Sequence, residues 1–175
     1  MSDLLAGDIS SVAEFLVHAL EMEVESAERY RELADNMEVH NNPEVAALFE
    51  KLALEGNSHV EQVQQRCATM DLPKIAPWAF KWSSPDGPES LPVDDMHYLI
   101  SRRQALELAL HNEIRGLDFY EQVAKGSPSA EVRQIAGEMA VEEREHVEML
   151  KAWLSREDDA GLSSLTDLDP PNMPE

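Results

Sequence analysis

Glu23-Val24-Glu25-Ser26-Ala27-Glu28-Arg29-Tyr30 and, 90 residues later, Glu113-Ile114-Arg115-Gly116-Leu117-Asp118-Phe119-Tyr120 decide how this 175-residue chain folds. Around the first stretch, Leu16, Leu20, Glu23, Ala27, Tyr30 and Ala34 step by four and three residues and so share one helix face. Leu106, Leu110, Glu113, Leu117, Tyr120 and Ala124 repeat that face around the second. A carboxylate interrupts each apolar seam at the same place.

The segments that follow repeat with a shift of 87: Val45, Phe49, Leu52, Gly56, His59 and Val63 match Val132, Ala136, Met139, Glu143, His146 and Leu150. Histidine falls in the seam both times, and Glu143, three residues before His146, projects from the same face. In an antiparallel hairpin two residues are level when they are equally far from the turn. The midpoint of Glu23 and His59 is position 41, within His40-Asn41-Asn42-Pro43. The midpoints for Glu113 with Glu143 and His146 fall near 128 to 130, at Gly126-Ser127-Pro128-Ser129. One polar layer therefore crosses both hairpins. A lone buried glutamate can merely fix register, and a lone histidine can be a hydrogen-bonded core residue. Several carboxylates at one level are different: without cations each would cost several kcal/mol or be forced to protonate. Glu-x-x-His combined with glutamates from other helices is the ligand set of dimetal carboxylate sites in four-helix bundles. Tyr30 and Tyr120 are expected to be core aromatics whose hydroxyls bond neighbouring carboxylates.

Punctuation gives the organisation. Ser11 and Glu14 form a capping-box pattern opening a first helix to about Met37, and Asn42-Pro43 opens a second to about Met70. Prolines at 73, 77, 85, 88 and 92 forbid a regular helix over residues 71–92, while Trp78, Phe80 and Trp82 predict a connection packed on the bundle. Asp94 or Asp95 caps a third helix running to about Lys125, and Ser127-Pro128 opens a fourth ending near Ser155. The expectation is an all-α, ferritin-like four-helix bundle over residues 10–155, made of two antiparallel hairpins joined by one long crossover. Residues 1–9 read as an N-terminal extension, and 156–175 as an acidic, proline-containing disordered tail.

Composition narrows the function classes. A net charge of −21 argues against nucleic acid or an anionic membrane as partner and suits cation binding. Cys67 is the single cysteine, which excludes an internal disulfide and points to a reducing, cytoplasmic setting. The N-terminus lacks the basic flank and apolar run of a secretion signal, and no stretch is long enough to span a bilayer.

The stretches from Glu23 to Tyr30 and from Glu113 to Tyr120, with Val141-Glu142-Glu143-Arg144-Glu145-His146, resemble the dimetal domain of rubrerythrin-type ferritin-like proteins over roughly residues 10 to 155. The resemblance implies two iron ions held by Glu23, His59, Glu113, Glu143 and His146, with peroxidase or ferroxidase chemistry towards peroxide or oxygen in iron handling or oxidative-stress defence. It also implies a homodimer or larger homo-oligomer. Manganese or zinc would fit the same mixed ligands.

Two departures from the family pattern matter. With only Cys67 the chain cannot carry the four-cysteine rubredoxin domain, so any electron donor is a separate molecule. Gly56 stands where the second helix should supply a glutamate three residues before His59; Glu55, four before it, is the candidate to compensate. In this reading Glu143 bridges or chelates, and His59 and His146 cap separate metals from two sides. Two further readings stay open: another dimetal oxidase, hydroxylase or manganese catalase, and a non-enzymatic bundle with a partly degenerate site.

Overall fold

The computed structural model describes residues 6–82, 87–89 and 99–166, with side chains as far as residue 157. Its helices are α1 (Val12–Val39), α2 (Pro43–Cys67), α3 (Arg102–Gly126) and α4 (Ala130–Thr166), with short 3-10 turns at Ala6–Asp8 and Pro77–Ala79. α1 packs along α2 and α3 along α4, and no strand occurs among the described residues. This is the expected all-α ferritin-like bundle of two hairpins and a crossover. No described helix is long and apolar enough to cross a membrane.

Local chemistry sets the helix ends, in places differently from the sequence reading. Ser11 Oγ accepts the Glu14 N–H at 3.1 Å, but the Glu14 carboxylate turns to Lys81 Nζ at 2.7 Å. Between α1 and α2, Asn41 takes the left-handed φ of 59° that asparagine tolerates. Asn42 spends its amide on the Ile100 carbonyl (2.9 Å) and leaves Pro43 to start α2. Asp94 and Asp95 lie outside the described residues; the observed cap of α3 is Ser101, whose capping box with Gln104 has both halves formed. Ser129, rather than Ser127, caps α4, its Oγ accepting the Val132 N–H at 3.4 Å.

Two expected boundaries are corrected. α4 runs on to Thr166, past the expected end near Ser155, because no proline interrupts the chain before Pro170 and Arg102 Nε grips Glu157 at 2.6 Å. Acidic composition together with the prolines from Pro170 onward reads as tail, but the prolines begin only beyond the helix. At the other end Ala6 and Ile9 are buried, and Ser127 Oγ donates to the Ile9 carbonyl at 2.6 Å, so residues 6–9 belong to the bundle.

The core has two apolar compartments. One gathers Phe15, Leu16, Met22, Val63, Phe119 and Met139; the other gathers Leu33, Met37, Phe49, Leu52, Leu106 and Leu150. Along α1 and α3 the boundary between them falls at Glu23 and Glu113, so the buried acids form a layer between two hydrophobic blocks. The crossover is pinned to this frame by His18. Its Nδ1–H donates to the Glu14 carbonyl and its Nε2 accepts the Lys81 N–H, both at 2.9 Å, while Phe80, Trp82 and Phe119 pack around the ring. Burial lowers the His18 pKa and keeps the ring neutral, as that acceptor role requires. Phe80 and Trp82 thus pack as expected, whereas Trp78 is exposed. Replacing His18 by alanine opens a cavity and orphans the Lys81 N–H, so His18→Ala should lose about 2–4 kcal/mol of stability in urea unfolding. A loss below about 0.5 kcal/mol would show that the crossover is held some other way.

Candidate metal centre

The leading glutamate of each paired stretch is tied to the other hairpin. The Tyr120 hydroxyl donates to Glu23 Oε1 at 2.7 Å, and the Tyr30 hydroxyl donates to Glu113 Oε1 at 2.8 Å. Both bonds are buried, and they fix which oxygen of each carboxylate remains for another partner. Buried Asn112 extends the second: Arg115 donates to its Oδ1 at 3.4 Å, and its Nδ2 donates to the Tyr30 hydroxyl at 3.3 Å.

The free oxygens face the histidines. His59 Nδ1 lies 3.4 Å from Glu23 Oε2 and 3.8 Å from Glu143 Oε1; His146 Nδ1 lies 3.4 Å from Glu113 Oε2 and 3.8 Å from Glu143 Oε2. Glu143 thus presents one oxygen to each of two glutamate–histidine pairs. Donor atoms of His59, Glu143 and His146 all lie within 4.8 Å of one another. The two rings stack with centroids 4.6 Å apart at 17°, so the histidines stand side by side instead of capping from two sides. Their parallel placement follows from matching positions in α2 and α4.

A fourth carboxylate joins these from the crossover. Glu89 is 3% exposed, close to Glu23 (3%), Glu113 (7%) and Glu143 (2%), and its only described neighbours in sequence are Gly87 and Pro88. It lines, with Glu23, Glu55, His59, Glu113 and His146, a cavity of about 20 Å³. Glu55 stands at the rim, half-buried, with Oε1 3.9 Å from Lys51 Nζ. Gly56 has a packing reason: a Cβ there would lie 3.1 Å from the Ala27 Cβ and 3.3 Å from its Cα, so glycine lets α2 close on α1.

The electrostatics are those of acids brought together before any cation is counted. Burial, then repulsion from Glu23 and Glu113, pushes the Glu143 carboxyl well above the ordinary range. Burial, then Glu143, Glu23 and Glu113, does the same to Glu89. Burial also raises Glu113, but its bonds with His146 and Tyr30 outweigh that and hold it below the usual value. Burial alone would lower His146; Glu113, Glu55 and Glu23 raise it instead. Among the described residues, no group donates a hydrogen bond to Glu143 Oε2 or Glu89 Oε1. Acceptors buried this way ask for a cation, and carboxylate oxygens with imidazole nitrogens are the donors iron and manganese take.

Glu23, His59, Glu113, Glu143 and His146 are therefore brought together as their spacing requires. Glu89 was missed, because a Pro-Glu pair in a proline-rich connection carries no periodicity; the readable sign was Gly116, a helical glycine one turn beyond Glu113.

The raised groups set a pH dependence for the metal-free protein. A carboxyl raised on folding stabilises fully below its unfolded value near 4.5 and loses that contribution as pH climbs through the folded value; this applies to Glu143 and Glu89. His146, raised from 6.5, acts in the same direction above that pH. His18, lowered from 6.5, opposes them below 6.5, one group against two. Glu113 is depressed and acts only below 4.5. Chelator-treated protein should melt at a higher temperature at pH 5 than at pH 8. A melting temperature that rises over that interval would contradict the buried acid layer.

Residues 14–79 match the family model described as Rubrerythrin. A solved structure, that of an uncharacterised conserved protein from Magnetospirillum magnetotacticum MS-1, is 40% identical with a TM-score of 0.66, over 83% of this chain and 95% of that one. No curated protein matches the sequence significantly. Likeness of that extent, a family match spanning α1, α2 and the start of the crossover, and the carboxylate–histidine layer agree: the chain belongs to the rubrerythrin family of ferritin-like proteins.

Proposed function

We propose that the protein is a diiron-carboxylate oxidoreductase of the peroxidase or ferroxidase type. The observation that carries this reading is Glu143, one oxygen towards the Glu23–His59 pair and the other towards the Glu113–His146 pair. Glu23 and His59 would hold one ion, Glu113 and His146 the other, and Glu143 would serve both. A ferrous pair supplies one electron per ion, and with two protons those two electrons reduce one peroxide to two waters. Tyr30 and Tyr120 keep Glu113 and Glu23 from rotating by holding the oxygen that faces away from the histidines. Phe15 and Phe119, packed on the Tyr120 ring, keep bulk water from that side.

Size favours a small oxidant over an organic substrate. The cavity at the carboxylates, about 20 Å³, admits a water-sized or peroxide-sized molecule. A groove of about 480 Å³, lined by Arg31, Asp35, Glu38, Glu50 and Leu54 among others, shares no residue with the centre. This weighs against a hydroxylase. The unsatisfied oxygens of Glu143 and Glu89 weigh against a bundle that has lost its metal. A separate reductant, a cytoplasmic setting and assembly into a homodimer or larger oligomer complete the proposal, on the strength of the family resemblance and of the lone Cys67.

Protein produced with iron and manganese both available should carry about two iron ions per chain by elemental analysis, and Glu143→Ala and His59→Ala should each lose at least one. Mixed anaerobically with peroxide, the ferrous-loaded protein should consume one peroxide per two ions oxidised. No stoichiometric metal, together with a melting temperature indifferent to chelator, would move the protein to the non-enzymatic class.

A further inference from the structure

We infer that Glu89 is a metal ligand delivered by the crossover, in space that Gly116 leaves open. The inference rests on the dimetal reading above and adds a residue outside the four helices to it. Glu89 is buried, lines the cavity shared with Glu23, Glu113 and both histidines, and has an oxygen, Oε1, that no group among the described residues satisfies.

Gly116 shows that room has been kept for this carboxylate. It lies three residues after Glu113, one turn along the same face of α3, and a Cβ built there would overlap the Glu89 carboxylate. Any side chain at 116 would expel Glu89. The repeat-equivalent position in α1, 90 residues earlier, is Ser26, whose side chain lines the same cavity as Glu89 and lowers the Glu89 carboxyl against the rise that burial imposes. Ser26 Oγ accepts from Asn112 Nδ2 at 3.3 Å, which leaves its own hydrogen to donate. Glu89 thus lies beside matching positions of the two hairpins, next to the glutamate of each.

Charge gives the same answer. Glu23, Glu89, Glu113 and Glu143 bring four negative charges into a layer whose remaining donors are two histidines. Two divalent ions neutralise four carboxylates, whereas three would leave the pair of ions with an excess positive charge in a buried site. Neither Gly56 nor Gly116 offers a side chain from its helix, and the crossover makes up the ligand count.

The test compares ferrous-ion binding by anaerobic titration in the full chain, the Glu89→Gln variant and the Gly116→Ala variant, with circular dichroism confirming the fold. Glu89→Gln keeps the shape and removes the charge; Gly116→Ala keeps Glu89 in the sequence but displaces its carboxylate. Both should weaken the second ion by about tenfold or more. Glu89→Ala should do the same, and adding Gly116→Glu to it, which brings a carboxylate into the same space from α3, should recover binding. Two ions held by Glu89→Gln as tightly as by the full chain would overturn the assignment of Glu89 alone. A full chain that binds no ion would overturn the dimetal reading itself.

Discussion

Four carboxylates buried in one layer, between two apolar blocks, are the constraint that the rest of this bundle answers to. Taking a carboxylate out of water costs several kcal/mol unless a charge or several donors meet it. Among the described residues the ion-pair partners of Glu23, Glu113 and Glu143 are histidines, not lysines or arginines. Basic side chains are spent on the surface, as with Arg29 on Glu32 and Lys125 on Glu121. A bundle built for stability alone would put leucine or alanine at these positions. What the fold retains is a fixed array of oxygen donors at one level, which only cations make inexpensive.

Around that array the two hairpins act as unequal halves of a repeat. The tyrosine–glutamate bonds are reciprocal, Tyr30 reaching α3 and Tyr120 reaching α1, so each hairpin orients the other's ligand. At the next pair of equivalent positions the repeat breaks: Glu143 in α4 is matched by Gly56 in α2, where the backbone presses on Ala27. Ser26 in α1 is matched by Gly116 in α3, where the crossover's Glu89 enters. Both glycines are close-approach points with physical work to do. One brings two helices together and the other admits a carboxylate from outside the helices. His18 anchors the strand of crossover ahead of Glu89 through the Lys81 backbone, which ties the connection to the same frame.

The periodic features were legible in the sequence and the aperiodic ones were not. Leu16 to Ala34 and Leu106 to Ala124 carry a helical stripe, and equal distance from the turns at Asn41 and near Ser129 put Glu23 level with His59 and Glu113 level with Glu143 and His146; the 3.4 Å contacts agree with that count. In the sequence Gly56 shows only a missing ligand, because the approach of Ala27 depends on how two helices pack. The third helix begins at Arg102, because Ser101 and Gln104 cap both ways; from sequence a single serine after Leu99-Ile100 is a weaker signal than paired aspartates. The fourth helix outlasts its apolar stripe because Arg102 captures Glu157, a tertiary contact with no local pattern. Glu89 had no stripe, repeat partner or spacing to announce it.

The central claim is that this layer holds two ions on either side of Glu143. Anomalous diffraction at the iron edge, from crystals grown anaerobically with ferrous iron, tests it most directly. The account predicts two iron peaks per chain, one beside Glu23 and His59, the other beside Glu113 and His146, with a Glu143 oxygen next to each. Fully occupied crystals with no peak between these side chains, or with iron held only by surface carboxylates, would contradict it.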